Sequence, residues 1–201
     1  MFKNISFKKV GLAVGMVSLA ALASACGGTE SRDESQGAAT SESAMVMANA
    51  NDVMFAQMMI PHHEQAVVMA DLALAKSNNP EIVGIATEIK GAQGPEIELM
   101  ASWLNRWGAP RISGEEAMMS HGSHGMTGML TDEQLAQLEA AQGEEFDRLF
   151  TEFMIEHHEG AVAMAQDVMA GGQEQEVLDL ASQIIEVQER EIAALKAMMT
   201  K

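Results

Sequence analysis

The sequence predicts an all-α protein, a four-helix bundle built from two tandem repeated helical hairpins, and three observations carry that expectation. The 201 residues include 18 methionines and two tryptophans but no tyrosine and only four prolines, a composition that favours helices over a β-sandwich. The segment Met59-Ile60-Pro61-His62-His63-Glu64 returns 95 residues later as Met154-Ile155-Glu156-His157-His158-Glu159. The register holds without a gap through Asp52 and Asp147, Phe55 and Phe150, Gln93 and Gln188, Glu96 and Glu191, and Ile97 and Ile192, which marks an internal duplication. At about 100° per residue, Asp52, Phe55, Met59, Ala66 and Ala70 fall on one helical stripe with His62 and His63 on its two sides, and the second copy repeats the arrangement.

In chain order, residues 1–25 read as a secretory leader. Lys3, Lys8 and Lys9 form its basic start, Val10 to Ala23 its apolar run, and Ala23-Ser24-Ala25 its small-residue cleavage site. The run is too short to span a bilayer. Leu22-Ala23-Ser24-Ala25-Cys26-Gly27 resembles a bacterial lipobox, which makes Cys26 the expected lipidated residue and the cell envelope the expected location, with the membrane as a partner through that anchor. Residues 26–50, rich in Gly, Ser, Thr and Glu, are expected to be a disordered tether.

The bundle is expected over 51–201, with repeats 51–107 and 146–201 joined by 108–145. Asn51 or Asp52 is placed to cap a first helix reaching Lys76, and Pro80 opens a second that reaches Trp107. Gly91-Ala92-Gln93-Gly94-Pro95 predicts a kink or short break in that second helix. Residues 108–130 read as a loop with a biased centre, Met118, Met119, His121, His124 and Met126 with Met129 beyond, a candidate arm for capturing metal at the surface. Thr131 and Gln134 form a capping box for a short helix bending near Gly143; a third long helix runs from Glu144 to Ala170, and a fourth from Glu174 to Met199 after Gly171-Gly172.

Charge bounds the partners. The formal net charge of −17 repels nucleic acid and anionic lipid and attracts cations. A single cysteine excludes an intramolecular disulfide and a thiolate cluster.

Met59 lies three residues before His62 and four before His63, so their side chains meet over one helical turn, and Met154 stands likewise to His157 and His158. A buried imidazole needs partners for both ring nitrogens. The second helix of each hairpin offers Gln93 and Glu96, or Gln188 and Glu191, the kind of outer partner that orients a metal-binding histidine. Di-iron bundles place Glu three residues before a ligand histidine; here that place holds Met, and a thioether shifts the preference from iron toward Cu(I).

The pattern Asp-x-x-Phe-x-x-x-Met-Ile-x-His-His-x-x-Ala-x-x-Met-Ala at Asp52 to Ala70 and Asp147 to Ala165, with Gln-x-x-Glu-Ile at Gln93 and Gln188, resembles the family catalogued as domain of unknown function 305. The resemblance implies a ferritin-like four-helix fold over about residues 51–200, and some members bind copper outside the cytoplasm. It implies Met59, His62, His63, Met69, Met154, His157, His158 and Met164 as the metal ligands. The expectation is therefore an exported Cu(I)-binding protein for sequestration, delivery or resistance, without catalysis, exchanging copper with a donor or acceptor protein. Two readings stay open beside it: a ferritin-like di-metal oxidase, and a structural envelope lipoprotein whose histidines form a core network.

Overall fold

The computed structural model describes residues 48–121 and 127–200, and among them every regular element is a helix. These are α1 (Ala50–Lys76), α2 (Pro80–Trp107), α3 (Gly114–His121), α4 (Asp132–Ala140), α5 (Gly143–Gly171) and α6 (Gln175–Met198). The leader, residues 26–47 of the expected tether with Cys26, and His124 and Met126 lie outside the described residues, while residues 49–50 of that tether already belong to the start of α1.

The N-cap of α1 is Asn49, two or three residues before the position the sequence pattern gives it. Its side-chain oxygen accepts the N–H groups of Asn51 and Asp52, while the Asp52 carboxylate accepts the Asn49 N–H at 2.8 Å. Asp52 is thus the far member of a capping box, not the cap. It is fully buried because it reaches further: the same carboxylate accepts the N–H groups of Gln173 (3.0 Å) and Glu174 (3.3 Å) before α6. Asn49 and Asn51 both donate to the Gly171 carbonyl, which locks the start of α1 onto the turn between α5 and α6. A Cβ on Gly172 would stand 2.7 Å from the Asp52 carboxylate, so this turn needs its glycine for close approach.

Helix α2 opens as expected, with Asn79 capping the Glu81 N–H and Pro80 at the first position, and ends at Gly108 in the left-handed region. The expected break is not there. One continuous helix carries Pro95, and both Gly91 and Pro95 are exposed, so the carbonyl freed by the missing proline N–H faces water. Residues 108–130 are not wholly loop either. Ser113 and Glu116 form a capping box that starts α3: the Glu116 carboxylate accepts the Ser113 N–H at 2.8 Å, and the Ser113 hydroxyl accepts the Glu116 N–H at 3.2 Å. Met118, Met119 and His121 therefore lie on a helix, with Met119 exposed to solvent. The Thr131–Gln134 box opens α4 as expected, and the anticipated bend near Gly143 is a full break at residues 141–142.

Each hairpin packs within itself, α1 on α2 and α5 on α6, and the hairpins meet mainly through α1 and α5. These two central helices run antiparallel, because the first half of α1 shares a core with the second half of α5 and conversely. One apolar cluster joins Met69, Ala70, Ile85, Ile89, Phe150 and Met154; the other joins Phe55, Met59, Met100, Trp103, Ala165 and Ile184. Trp103 and Trp107 stack in the second cluster at 6.0 Å. Between the clusters lies a buried polar band of His62, His63, Gln93, His157, His158, Gln188 and Glu191. Each such group costs about 1–3 kcal/mol when it is buried without a partner, so the band's partners decide what it is for.

Candidate metal centre

The duplication brings its two histidine pairs to one place. The imidazole rings of His62 and His157, one from each central helix, meet at the middle of the bundle with centroids 3.8 Å apart and planes at 42°. All four histidines are essentially inaccessible to solvent.

Their hydrogen bonds sort the ring nitrogens. His63 Nε2 lies 2.8 Å from a Glu96 carboxylate oxygen, and His158 Nε2 lies 2.7 Å from a Glu191 carboxylate oxygen. His62 Nε2 lies 3.3 Å from the Thr127 carbonyl oxygen. An oxygen acceptor at Nε2 requires that nitrogen to carry the proton, which in a neutral imidazole leaves Nδ1 as a bare lone pair. The Nδ1 atoms of His62, His63 and His158 are buried and make no hydrogen bond. Neither ring nitrogen of His157 completes one. Burial, with the neighbouring His63 adding to it, pushes the His62 pKa down from 6.5 to about 3, against a smaller opposing pull from the Thr127 carbonyl. Burial and then His62 itself push His157 well below its ordinary value, with the His62 backbone pulling the other way. Both rings are therefore neutral at any physiological pH, the form that ligates metal.

Glu96 and Glu191 hold the histidines as the sequence pattern indicates. Gln93 and Gln188 do not; they are buried at the same level, but each has its carboxamide oxygen without a partner and no hydrogen bond to an imidazole. Met59, Met69 and Met154 are fully buried around the band, Met59 in one apolar cluster and Met69 and Met154 in the other. Met164 is only partly buried and packs with Met129 against Met58 and Ala117, beneath α3. Met58 is a buried thioether that the repeat pattern does not single out, since its register partner is Phe153. Glu64 and Glu159 face solvent in ion pairs with Arg111 and Lys196.

A strap, Thr127 to Leu130, closes the His62 side. Gln65 grips it with both ends of its carboxamide, accepting the Leu130 N–H at 2.7 Å and donating to the Leu130 carbonyl at 3.0 Å. On the other side Gly160 lets the strap lie on α5, where a Cβ would stand 1.8 Å from the Thr127 carbonyl oxygen. Gly128 follows in the left-handed region, directly against the backbone at Glu156 and His157.

Among the described residues no three side chains of His, Cys, Asp and Glu converge on one point, so a complete coordination sphere around His62 and His157 needs thioether sulfur or a ring rotation. The bare lone pairs nevertheless fit a cation that favours imidazole. They are electron-pair donors, packed among methionines, with no hydrogen to satisfy them.

The family described as "Domain of unknown function (DUF305)" matches residues 52–199. The chain belongs to the DUF305 family. A DUF305 protein from Streptomyces coelicolor, described as secreted, is 30% identical with a TM-score of 0.69, over 75% of this chain and 92% of that one. A DUF305 fragment from Deinococcus radiodurans is 33% identical, TM-score 0.66, over 76% of this chain and 97% of that one. CopM in its Cu(I)-bound form is also 33% identical, TM-score 0.62, over 74% of this chain and 95% of that one; other CopM structures hold Cu(II) or Ag. A comparison with curated proteins finds no match. These likenesses cover the bundle, and its four-helix, DUF305-type fold is the one the sequence predicts.

Proposed function

We propose that this DUF305 protein binds copper, as Cu(I), outside the cytoplasm, and serves its sequestration, delivery or resistance. The observation that carries the reading is the set of Nδ1 lone pairs on His62, His63 and His158, buried and unpartnered while Nε2 of each ring is tied to an oxygen. His62 and His157 are the central ligands because their rings touch. Met59 and Met154, one turn before them and fully buried, are the thioethers that would favour the monovalent ion, with Met69 and Met164 further out. The similarity to CopM, which has been crystallised with Cu(I), Cu(II) and Ag, supports the choice of metal.

The protein is read as a binder and not an enzyme. Its inward carboxylates at this level are Glu96 and Glu191, and each is engaged by a histidine. Location follows from the leader and from Cys26, read as a lipid anchor, with support from the relative described as secreted. Among the described residues no helix is long and apolar enough to cross a membrane.

Titration of Cu(I) against a competing chelator tests the site. The wild type takes up copper near stoichiometrically, and the His62→Ala/His157→Ala variant loses at least tenfold in affinity; undiminished uptake by that variant would overturn the assignment. X-ray absorption on the loaded protein separates sulfur from nitrogen ligands, and loss of the sulfur shell in Met59→Leu/Met154→Leu assigns it. Incorporation of labelled palmitate, abolished by Cys26→Ala, tests the anchor.

A further inference from the structure

The two central histidines are held differently. His62 directs Nε2 at the Thr127 carbonyl oxygen, 3.3 Å away, while neither ring nitrogen of His157 completes a hydrogen bond. The two rings occupy equivalent register positions, so the difference comes from outside the repeats. Its source is the segment that joins them. A joining segment occurs once, and its strap serves one of the two rings.

The strap is built to bring that carbonyl to His62. At Gly160 the α5 backbone is bare, and the Thr127 carbonyl occupies the place of the missing side chain: a Cβ would stand 1.8 Å from its oxygen and 2.5 Å from its carbon. Gly128 has a φ of 86° and lies so close to α5 that a Cβ would stand 2.4 Å from the Glu156 carbonyl oxygen. Only glycine meets both demands. On α1, Gln65 holds the Leu130 N–H and carbonyl together. Gln65 and Gly160 are register partners, each three residues after a central histidine, so the strap is seated from both helices at the level of the rings. On the far side of the band, where an open groove of about 620 Å³ runs between α2 and α6, His63 and His158 are held by glutamate carboxylates instead.

A neutral imidazole has two tautomers, and the acceptor that its N–H finds decides between them. Carboxylates and backbone carbonyls both play that part around metal-binding histidines. We propose that Thr127 is a positioning residue of the metal centre: its backbone carbonyl, seated by Gly160 and Gly128, commits His62 to the Nε2–H tautomer and so presents Nδ1 to the metal. This role rests on the copper reading of the centre, in which His62 is a ligand. It makes the two touching rings unequal ligands, one oriented by backbone and one not.

Nitrogen-15 NMR of the histidine rings in the metal-free full chain reads the tautomers directly. In the wild type His62 is a single Nε2–H tautomer. In Gly160→Ala the strap is displaced and His62 averages between the two forms, while His63 and His158 keep theirs through Glu96 and Glu191. Affinity for Ag(I), measured by competition, falls about tenfold in the same variant. Asp52→Ala, which loosens the start of α1 without touching the strap, keeps both the His62 tautomer and the Ag(I) affinity. Gly128→Ala displaces the strap at its other close contact and decides the matter if Gly160→Ala folds poorly. A His62 ring that stays a single Nε2–H tautomer in both glycine variants, or a lost tautomer with unchanged Ag(I) affinity, would overturn the proposal. A wild type that shows the fixed tautomer but takes up no Ag(I) would overturn the copper reading, and the metal role of Thr127 with it, so the two failures give different patterns.

Discussion

The two repeats share a frame and use it differently. His63 with Glu96 and His158 with Glu191 are the same pair at the same separation, at 2.8 and 2.7 Å, so the duplicated positions build a symmetric interior. The asymmetry lies at the edges of that frame. Where the first repeat has Gln65 the second has Gly160, and the strap over His62 is gripped by one and accommodated by the other. Where the first repeat has Asp52 spanning two helix starts, Asp147 has a buried carboxylate oxygen with no partner. The reason is local. The turn between α1 and α2 caps itself, through Ser77 accepting the Asn79 N–H and Asn79 accepting that of Glu81, while the start of α6 has no side-chain cap of its own and borrows Asp52. A duplication can hold a shared interior constant while each copy loses what the other copy supplies.

The largest expected effect breaks that comparison at the aspartates. Asp52→Ala removes the acceptor for the N–H groups of Asn49, Gln173 and Glu174 and should cost about 3 kcal/mol, from charge-assisted bonds and two lost caps. Asp147→Ala should cost less than about 1 kcal/mol, because one of its carboxylate oxygens is already unsatisfied. Urea unfolding of both variants measures the difference; equal losses would mean the repeats are equivalent after all. Gly160→Ala comes next. Its Cβ would collide with the Thr127 carbonyl oxygen, and displacing the strap should cost about 2 kcal/mol, read as a lower melting temperature with faster amide exchange at Thr127 to Leu130.

Acid sharpens the comparison between the rings that meet. His62 has a pKa of about 3 in the fold and about 6.5 unfolded, so below pH 6.5 the unfolded chain binds a proton that the native ring refuses. Stability is therefore intact above pH 6.5 and falls as pH drops from there toward 3, by just under about 2 kcal/mol between pH 7 and pH 5 from this ring. His157 acts in the same direction. Melting temperature of the metal-free protein across that range checks the sign. In His62→Gln the dependence should shrink; an unchanged slope would locate the acid sensitivity elsewhere.

What the sequence made legible follows from how local each cause is. The helices, the Thr131–Gln134 box and the presence of polar partners for the histidines on the second helix of each hairpin were readable from periodicity and the repeated spacing, but not that the glutamates alone bond, and to His63 and His158. The Ser113–Glu116 box was equally readable and was obscured by the His and Met bias of the segment that follows it. Asp52 was not, since two of its N–H partners lie across the bundle at Gln173 and Glu174 and no periodicity encodes them. The helix runs on through Pro95 without the short break that its sequence allowed, since the carbonyl freed by the proline belongs to the exposed Gly91 and faces water. At the site, the ligand residues were visible as types, but the contact of His62 with His157 depends on the crossing of α1 and α5, which spacing alone does not give.

A smaller effect than the loss of Asp52 or of Gly160 tests the strap from its gripping side. Gln65→Ala removes both part-buried bonds to Leu130 and should cost about 1 kcal/mol. The His62 side of the centre would then open without any change to the imidazoles. If metal reaches the histidines past the strap, stopped-flow uptake of Ag(I) accelerates in Gln65→Ala while equilibrium affinity stays within about twofold, because an affinity change would need a ligand to move. If metal instead arrives along the groove between α2 and α6, the uptake rate is unaltered and Ala92→Leu, which narrows that groove, slows it. The two variants perturb opposite sides of one polar band, so the pair assigns the route whichever way the rates fall.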